Sequence, residues 1–313
     1  MLAERVFPLD QKTLELFALK GTQGGCAAPQ IGNANGVKVR RVMQLIRDFS
    51  KKPFEQLRIL DLACGEGVYA IEAALRGAEV IALDARTERM KEGAKAAERL
   101  GLVNLSFAQK DIRYVTRDSY GNVDIVLFLG IFYHLDQQDA FSVLKNIYDI
   151  CGQFIIIDTH IALQGKVKIE HNSRVYEGQY FREHADADSD QVRRSRLLAS
   201  LDNPLSFWFT KESLFRLLKE VGFSSVCECN VPLESCKPED RITIIAAKGE
   251  PVQVSSYPWV NEKTEHEIDH FIANNLRQTS HQGKGRVRMS IKQRVGSWVN
   301  GALRQFGLKI VRI

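Results

Sequence analysis

The chain has 313 residues, 44% of them hydrophobic and 26% charged, which is enough to bury a sizeable core as one extended domain or two. No run of about 18 apolar residues occurs, and the start Met-Leu-Ala-Glu-Arg lacks an apolar signal region, so neither a spanning helix nor secretion is expected and a cytoplasmic location follows as the default. The net charge of +5 excludes a uniformly basic nucleic-acid binder, because eight Lys and Arg and no acid fall in residues 281–313, leaving 35 of the 43 basic residues against 38 acidic ones before them.

In chain order, residues 10–20 read as a short helix, followed by a loop from Gly21 to Gly36, rich in Gly, Ala and Asn. Val39, Val42, Met43, Ile46 and Phe49 then recur at helical spacing with Arg40, Arg41 and Arg47 among them, and Pro53 closes a helical cover spanning residues 1–56. The next stretch, Arg58 to Gly67, organises the rest. It reads as an apolar strand, the acidic Asp61, and a glycine turn leading into a helix over 68–76. Glycines at such a junction let backbone N–H groups approach a ligand at the positive end of a helix.

Strands and helices alternate from there: strand 58–63, helix 68–76, strand 79–83, helix 87–100, strand 104–108, strand 123–129, helix 137–150 and strand 153–158. Runs such as Asp124-Ile-Val-Leu-Phe-Leu129 are apolar on both faces, as strands buried between two helix layers must be. Right-handed connections then give a doubly wound sheet with its ligand crevice at the carboxyl ends of the strands. Asp84, ending the second strand, is placed to accept from both hydroxyls of a ribose.

Gly65-x-Gly67-x-x-Ala70 with Asp84 also satisfies the dinucleotide fingerprint. Asp61 argues against it, since a carboxylate at the turn repels a pyrophosphate and suits a ligand carrying an ammonium and a sulfonium. The order Asp61-x-x-x-Gly65-x-Gly67 resembles the first motif of class I S-adenosylmethionine-dependent methyltransferases. That resemblance implies a Rossmann-like α/β fold with a seven-stranded, mostly parallel sheet and an antiparallel last strand. It also implies S-adenosylmethionine as cofactor, held by Asp61, Ala63, Gly65, Glu66, Gly67, Asp84, Ala85, Asp111, Ile112, Leu129 and Gly130. In the family the acid after the third strand takes the adenine amine, its apolar neighbour covers the ring, and a small residue after the fourth strand lets the chain pass under the cofactor. A segment before the first strand often closes over the cofactor there, so Arg40 or Arg41 is a candidate for the methionyl carboxylate.

His134 after the fourth strand, with Asp158 and His160 after the fifth, lies on the rim where an acceptor hydroxyl would wait, and these three are the candidate bases. Leu129-Gly-Ile-Phe-Tyr-His-Leu135 and Phe207-Trp-Phe-Thr210 are similar to enzymes that finish wobble-uridine side chains in tRNA, and similar sequences occur in sugar and natural-product O-methyltransferases. Residues 161–206 are an insertion that the common core does not supply, and they are read as a substrate lid. Its polar content includes His171, Arg174, Tyr176, Glu177, Tyr180, Arg182, Glu183, His184, Arg193, Arg194 and Arg196.

Thr210 and Gly222 bracket a helix as N-cap and stop, and strands 225–231 and 241–247 close the domain, which is taken as residues 57–248. Cys227, Cys229 and Cys236 lack a fourth ligand at a recognised spacing, and Cys64 is a small packing residue, so no metal is expected. Residues 249–313 read as a Pro-containing linker, a polar helix over 262–277, and a basic amphipathic stripe of Ile291, Val295, Trp298, Ala302 and Phe306. That stripe suits packing or self-association ahead of an anionic membrane or RNA. The expected activity is methyl transfer to a hydroxyl of a small molecule or glycoside, with an RNA-modifying enzyme or a non-catalytic cofactor-binding partner as the alternatives.

Overall fold

The computed structural model describes residues 34–230 and 237–251, together with the backbone of residues 308–309. The first helix, α1 (Ala34–Phe49), starts five residues earlier than its apolar stripe, taking in the end of the expected loop. β1 (Arg58–Leu62), α2 (Val68–Leu75), β2 (Glu79–Asp84), α3 (Thr87–Arg99) and β3 (Leu105–Gln109) follow. Then come the short α4 (Arg117–Tyr120), β4 (Val123–Leu129), α5 (Gln137–Ile150) and β5 (Cys151–His160). The expected helices at 10–20, 262–277 and 291–306 lie outside the described residues.

The main sheet runs β3-β2-β1-β4-β5-β10-β9, where β9 is Ser225–Cys229 and β10 is Arg241–Ala247. Every pairing from β3 to β5 is parallel, and β10 is antiparallel to both its neighbours. The order reverses between β1 and β4, which opens the crevice beside the organising glycine turn. β11 (Leu308–Lys309) adds an eighth strand antiparallel to β9, which sequence reasoning did not anticipate.

Burial explains the architecture. Ile125, Val126, Leu127 and Phe128 of β4 are 0% exposed, because residues of one parity face α1 and α2 while the other parity faces α5 and α7 (Lys211–Val221). Thr210 caps α7 by accepting from Ser213 N, and Gly222, at φ 126°, ends it. Among the described residues no helix is long and apolar enough to cross a membrane.

The insertion builds a small second sheet. β6 (Val167–His171) and β7 (Arg174–Arg182) form a hairpin, and β8 (Leu205–Phe209) pairs antiparallel with β7. The Phe207-Trp-Phe stretch before the closing helix is therefore a strand: alternate rings Phe207 and Phe209 enter the main core while Trp208 faces the other way. Between β7 and β8, residues 183–204 carry only one short helix, α6 (Asp190–Ser195).

Candidate functional site at the strand carboxyl ends

The glycine turn is tightly built. Ala63, Gly65 and Gly67 all take left-handed backbone conformations, at φ 54°, 57° and 74°. A Cβ on Gly67 would lie 2.7 Å from the Phe107 ring, so this position admits glycine alone. Ala63 has no such licence, and strain of this kind collects where a chain is shaped for a ligand. The turn is tied to the second strand by Cys64 N donating to Leu83 O (2.8 Å) and Gly65 N donating to Asp84 Oδ2 (2.9 Å). Asp84 Oδ1 accepts from Arg86 N (2.8 Å), and each oxygen keeps a lone-pair site for a ribose hydroxyl.

Asp61 is 1% exposed, and its Oδ2 has no hydrogen-bond partner. Burial, reinforced by Asp84 and opposed by the Ala70 N–H, pushes its carboxyl up to about 8. An orphaned buried carboxylate oxygen beside a tight glycine turn fits a cationic group and disfavours a pyrophosphate, so the residues present fit the methionyl end of S-adenosylmethionine. Asp111 accepts from the Arg113 backbone and guanidinium, and Arg113 extends to Asp202 (2.8 and 3.0 Å). Asp111, expected on the adenine side, is thus already paired, with Ile112 buried next to it. Leu129 ends β4 and Gly130 (φ 76°) follows it; Glu66 lies within the turn and Ala85 follows Asp84, its carbonyl accepting from Gln109.

The three candidate bases are placed differently. Burial would raise Asp158, but Arg241 (2.6 Å), Lys38 (3.9 Å) and the Thr243 hydroxyl (2.8 Å) hold it below the usual carboxylate range. Arg41, offered for the methionyl carboxylate, is buried and donates to Thr243 in the same network. His160 has Nε2 3.1 Å from Arg241 Nη1, and its Nδ1 lies 3.1 Å from an Asp240 oxygen but off the hydrogen-bonding direction. Burial first, then Arg241, lower its pKa. Both groups are engaged.

His134 differs. Its Nδ1 is 2.8 Å from Glu183 Oε1, and among the described residues none hydrogen-bonds its Nε2. Burial alone would raise Glu183, but His134, Ser200 N (3.0 Å) and Ser206 Oγ (2.9 Å) together bring it below its ordinary range. An ionised Glu183 can only accept, so Nδ1 donates to it and Nε2 is the ring nitrogen turned to the acceptor side.

Sequence reasoning missed Glu183 as this partner, and missed the arginines that fasten residues 183–204. Arg86 donates to the carbonyls of Arg194, Arg196, Ala199 and Ser200, and Arg89 to that of Leu197. Arg241 was missed as well, although pairing β10 antiparallel with β5 places it opposite His160. Several polar residues of the insertion serve packing instead. His171 stacks on Phe141 (3.8 Å, 4°), Tyr176 bonds Glu220, and the buried His184 bonds Ser200 O.

Comparison with known proteins agrees with this geometry. A family model described as "Methyltransferase domain" matches residues 59–153. The chain is 32% identical over 113 residues to a ubiquinone biosynthesis O-methyltransferase of Methylocella silvestris, covering 36% of this chain and 39% of that protein. It is 39% identical over 71 residues to the 23S rRNA uracil-C5-methyltransferase RlmD of Shewanella sediminis, covering 23% and 16%. The chain thus spans about two-fifths or less of the length of these relatives. Among solved structures, the N-terminal domain of EvdMO1, crystallised in the presence of SAH and D-fucose, superposes with a TM-score of 0.56 at 19% identity, over 76% of this chain and 95% of that one.

Proposed function

We propose that this chain, which carries a class I S-adenosylmethionine-dependent methyltransferase domain, methylates a hydroxyl group of a small molecule or glycoside. When bound, the cofactor supplies an electrophilic methyl group. Asp61 would receive the cofactor's ammonium, the glycines of the 63–67 turn would let the chain approach it closely, and Asp84 would accept from its ribose. His134 Nε2 takes the acceptor's proton as the oxygen attacks, with Glu183 holding the ring and stabilising the imidazolium. A positioned base of this kind contributes about 10²–10⁴-fold. Residues 183–204 act as the lid, reaching the loops after β2, β3 and β4 through Arg86, Arg113 and Glu183.

The observation that carries the reading is the His134–Glu183 pair on the rim of a crevice whose other end holds an orphaned acid. The lid's arginines support a small acceptor over RNA. Arg182 pairs with Asp186, Arg196 with Asp188 and Arg194 with Asp202, while Arg193 donates to the carbonyls of Asp186 and Asp202. Little basic charge is left there for phosphates, which supply most RNA affinity. Incubating the protein with a metabolite extract and methyl-labelled cofactor tests the proposal: one or a few labelled ethers should appear in mass spectrometry and vanish in His134→Ala. Label arriving only in RNA, or in no product although cofactor binds, contradicts it.

A further inference from the structure

The small sheet ends in a strand with one open edge. β6 pairs with β7 on one side, and no other described strand pairs with its second edge. The hairpin joining them turns on Asn172 and Ser173, whose φ values of 51° and 60° are those of a two-residue type I′ turn. In such a hairpin the flanking residues, His171 and Arg174, exchange both backbone bonds, and bonded and non-bonded pairs then alternate along the ladder. Val167, Ile169 and His171 therefore bond to β7, while Lys168 and Glu170 turn their N–H and C=O outward. The side chains alternate as well. Val167 and Ile169 pack against the core, whereas Lys168 and Glu170 are exposed. Lys168 meets Glu177 of β7 at 3.2 Å; Glu170, opposite Val175, has no hydrogen-bond or ion-pair partner among the described residues.

From this geometry we infer that β6 is a self-association edge, to which a second copy of this chain adds its own β6 antiparallel, with the two-fold axis at Ile169. It is independent of the methyl-transfer reading. Centred there, Lys168 of each copy stands opposite Glu170 of the other, and Ile169 faces Ile169. The backbone suits that register, because the opposed residues are the ones whose N–H and C=O point outward. The charges suit it too. Each lysine lies between Glu177 of its own hairpin and Glu170 of the other copy, which gives two acid–base–acid rows related by symmetry. Moving the axis to Lys168 or to Glu170 opposes like charges, so the sequence singles out one pairing. An edge that only keeps copies apart is better served by charge of one sign, as lysine-bearing edges are. A strand of five residues buries less than the roughly 1,200 Å² of a stable interface, so this association is weak and reversible.

Sedimentation velocity of the full chain over a concentration series tests this, in the parent and in the single variants Lys168→Glu and Glu170→Lys. The parent should show a reversible monomer–dimer equilibrium. Either reversal sets like charges opposite each other twice per dimer and should weaken self-association about tenfold or more. Mixing the two variants should restore a dimer of one copy of each, since every introduced charge then faces an opposite one. Hydrogen exchange in the parent needs no variant to fold: the Lys168 and Glu170 amides should slow as concentration rises, unlike that of Ile169, already bonded to β7. A parent that stays monomeric at every concentration overturns the proposal. So does a dimer that neither reversal weakens, or one whose amides at 168 and 170 exchange as fast as in the monomer. Loss of the dimer in both variants without recovery on mixing, where their circular dichroism matches the parent's, overturns it equally.

Discussion

The main sheet and residues 183–204 are held by different physics. In the sheet, Ile125, Val126, Leu127 and Phe128 are 0% exposed, and the cofactor turn is bolted onto that buried frame by Asp84. In the insertion, Val192, Leu197 and Leu198 stand 41%, 46% and 86% exposed, and the segment is fastened by polar ties to Arg86, Arg89, Arg113 and His134. Buried apolar side chains stabilise by about 1.5–3 kcal/mol each, whereas a typical intramolecular hydrogen bond contributes about 1 kcal/mol net. The frame should therefore stay rigid while the insertion opens locally at a fraction of the global cost. That division suits a crevice that keeps its cofactor end shaped while exchanging ligands.

The largest expected effect lies where the two regions meet. His134→Ala should lower turnover about 10²–10⁴-fold with unchanged cofactor affinity, read from methyl-label incorporation and calorimetry. Glu183→Gln should fall between this variant and the parent, since it keeps the contact but loses the charge that fixes the tautomer. Within the frame, Leu127→Ala should cost about 2–5 kcal/mol in urea unfolding. A cost under 1 kcal/mol would mean that the sheet is not the rigid partner.

The cofactor end should also be sensitive to pH. With its carboxyl at about 8, folded Asp61 holds a proton that the unfolded chain has released above its ordinary pKa of about 3.9. This group therefore makes stability fall as pH rises from about 4 to 8. Placing a cation against it drives the proton off, so S-adenosylhomocysteine affinity should rise by up to about tenfold per unit between pH 6 and 7.5. Proton release, measured by calorimetry in buffers of different ionisation heat, checks this, and Asp61→Asn should remove the slope. The smallest effect belongs to the lid: Arg86→Ala should cost about 1 kcal/mol or less of global stability, yet clearly speed hydrogen exchange across residues 190–202. Unchanged exchange there would mean that the segment is held by something other than these ties.

Much of the frame was legible in sequence because parallel strands buried on both faces leave unbroken apolar runs, and because Asp61, Gly65, Gly67 and Asp84 sit at fixed offsets along consecutive elements. The insertion was not legible. Glu183 is one acid among many, and its meeting with His134 spans 49 residues and depends on how β7 pairs with β8. The ties from Arg86 and Arg89 end on backbone carbonyls, which carry no residue signature at all. Residues 161–206 invited a reading as one polar cover, but the alternation of Tyr176, Gly178 and Tyr180 along β7 instead turns Tyr176 into the core and lets Tyr180 pack on Phe207.

The most direct test of the account is a calorimetric titration of the full chain with S-adenosylhomocysteine and, separately, with a nicotinamide dinucleotide, in the parent and in Asp61→Asn. The account predicts that S-adenosylhomocysteine binds the parent, that Asp61→Asn weakens it by roughly 1.5–3 kcal/mol, the range for a lost charge-assisted hydrogen bond, without lowering the melting temperature, and that the dinucleotide does not compete. Binding that is equally tight in Asp61→Asn, or a dinucleotide that displaces S-adenosylhomocysteine, would contradict it.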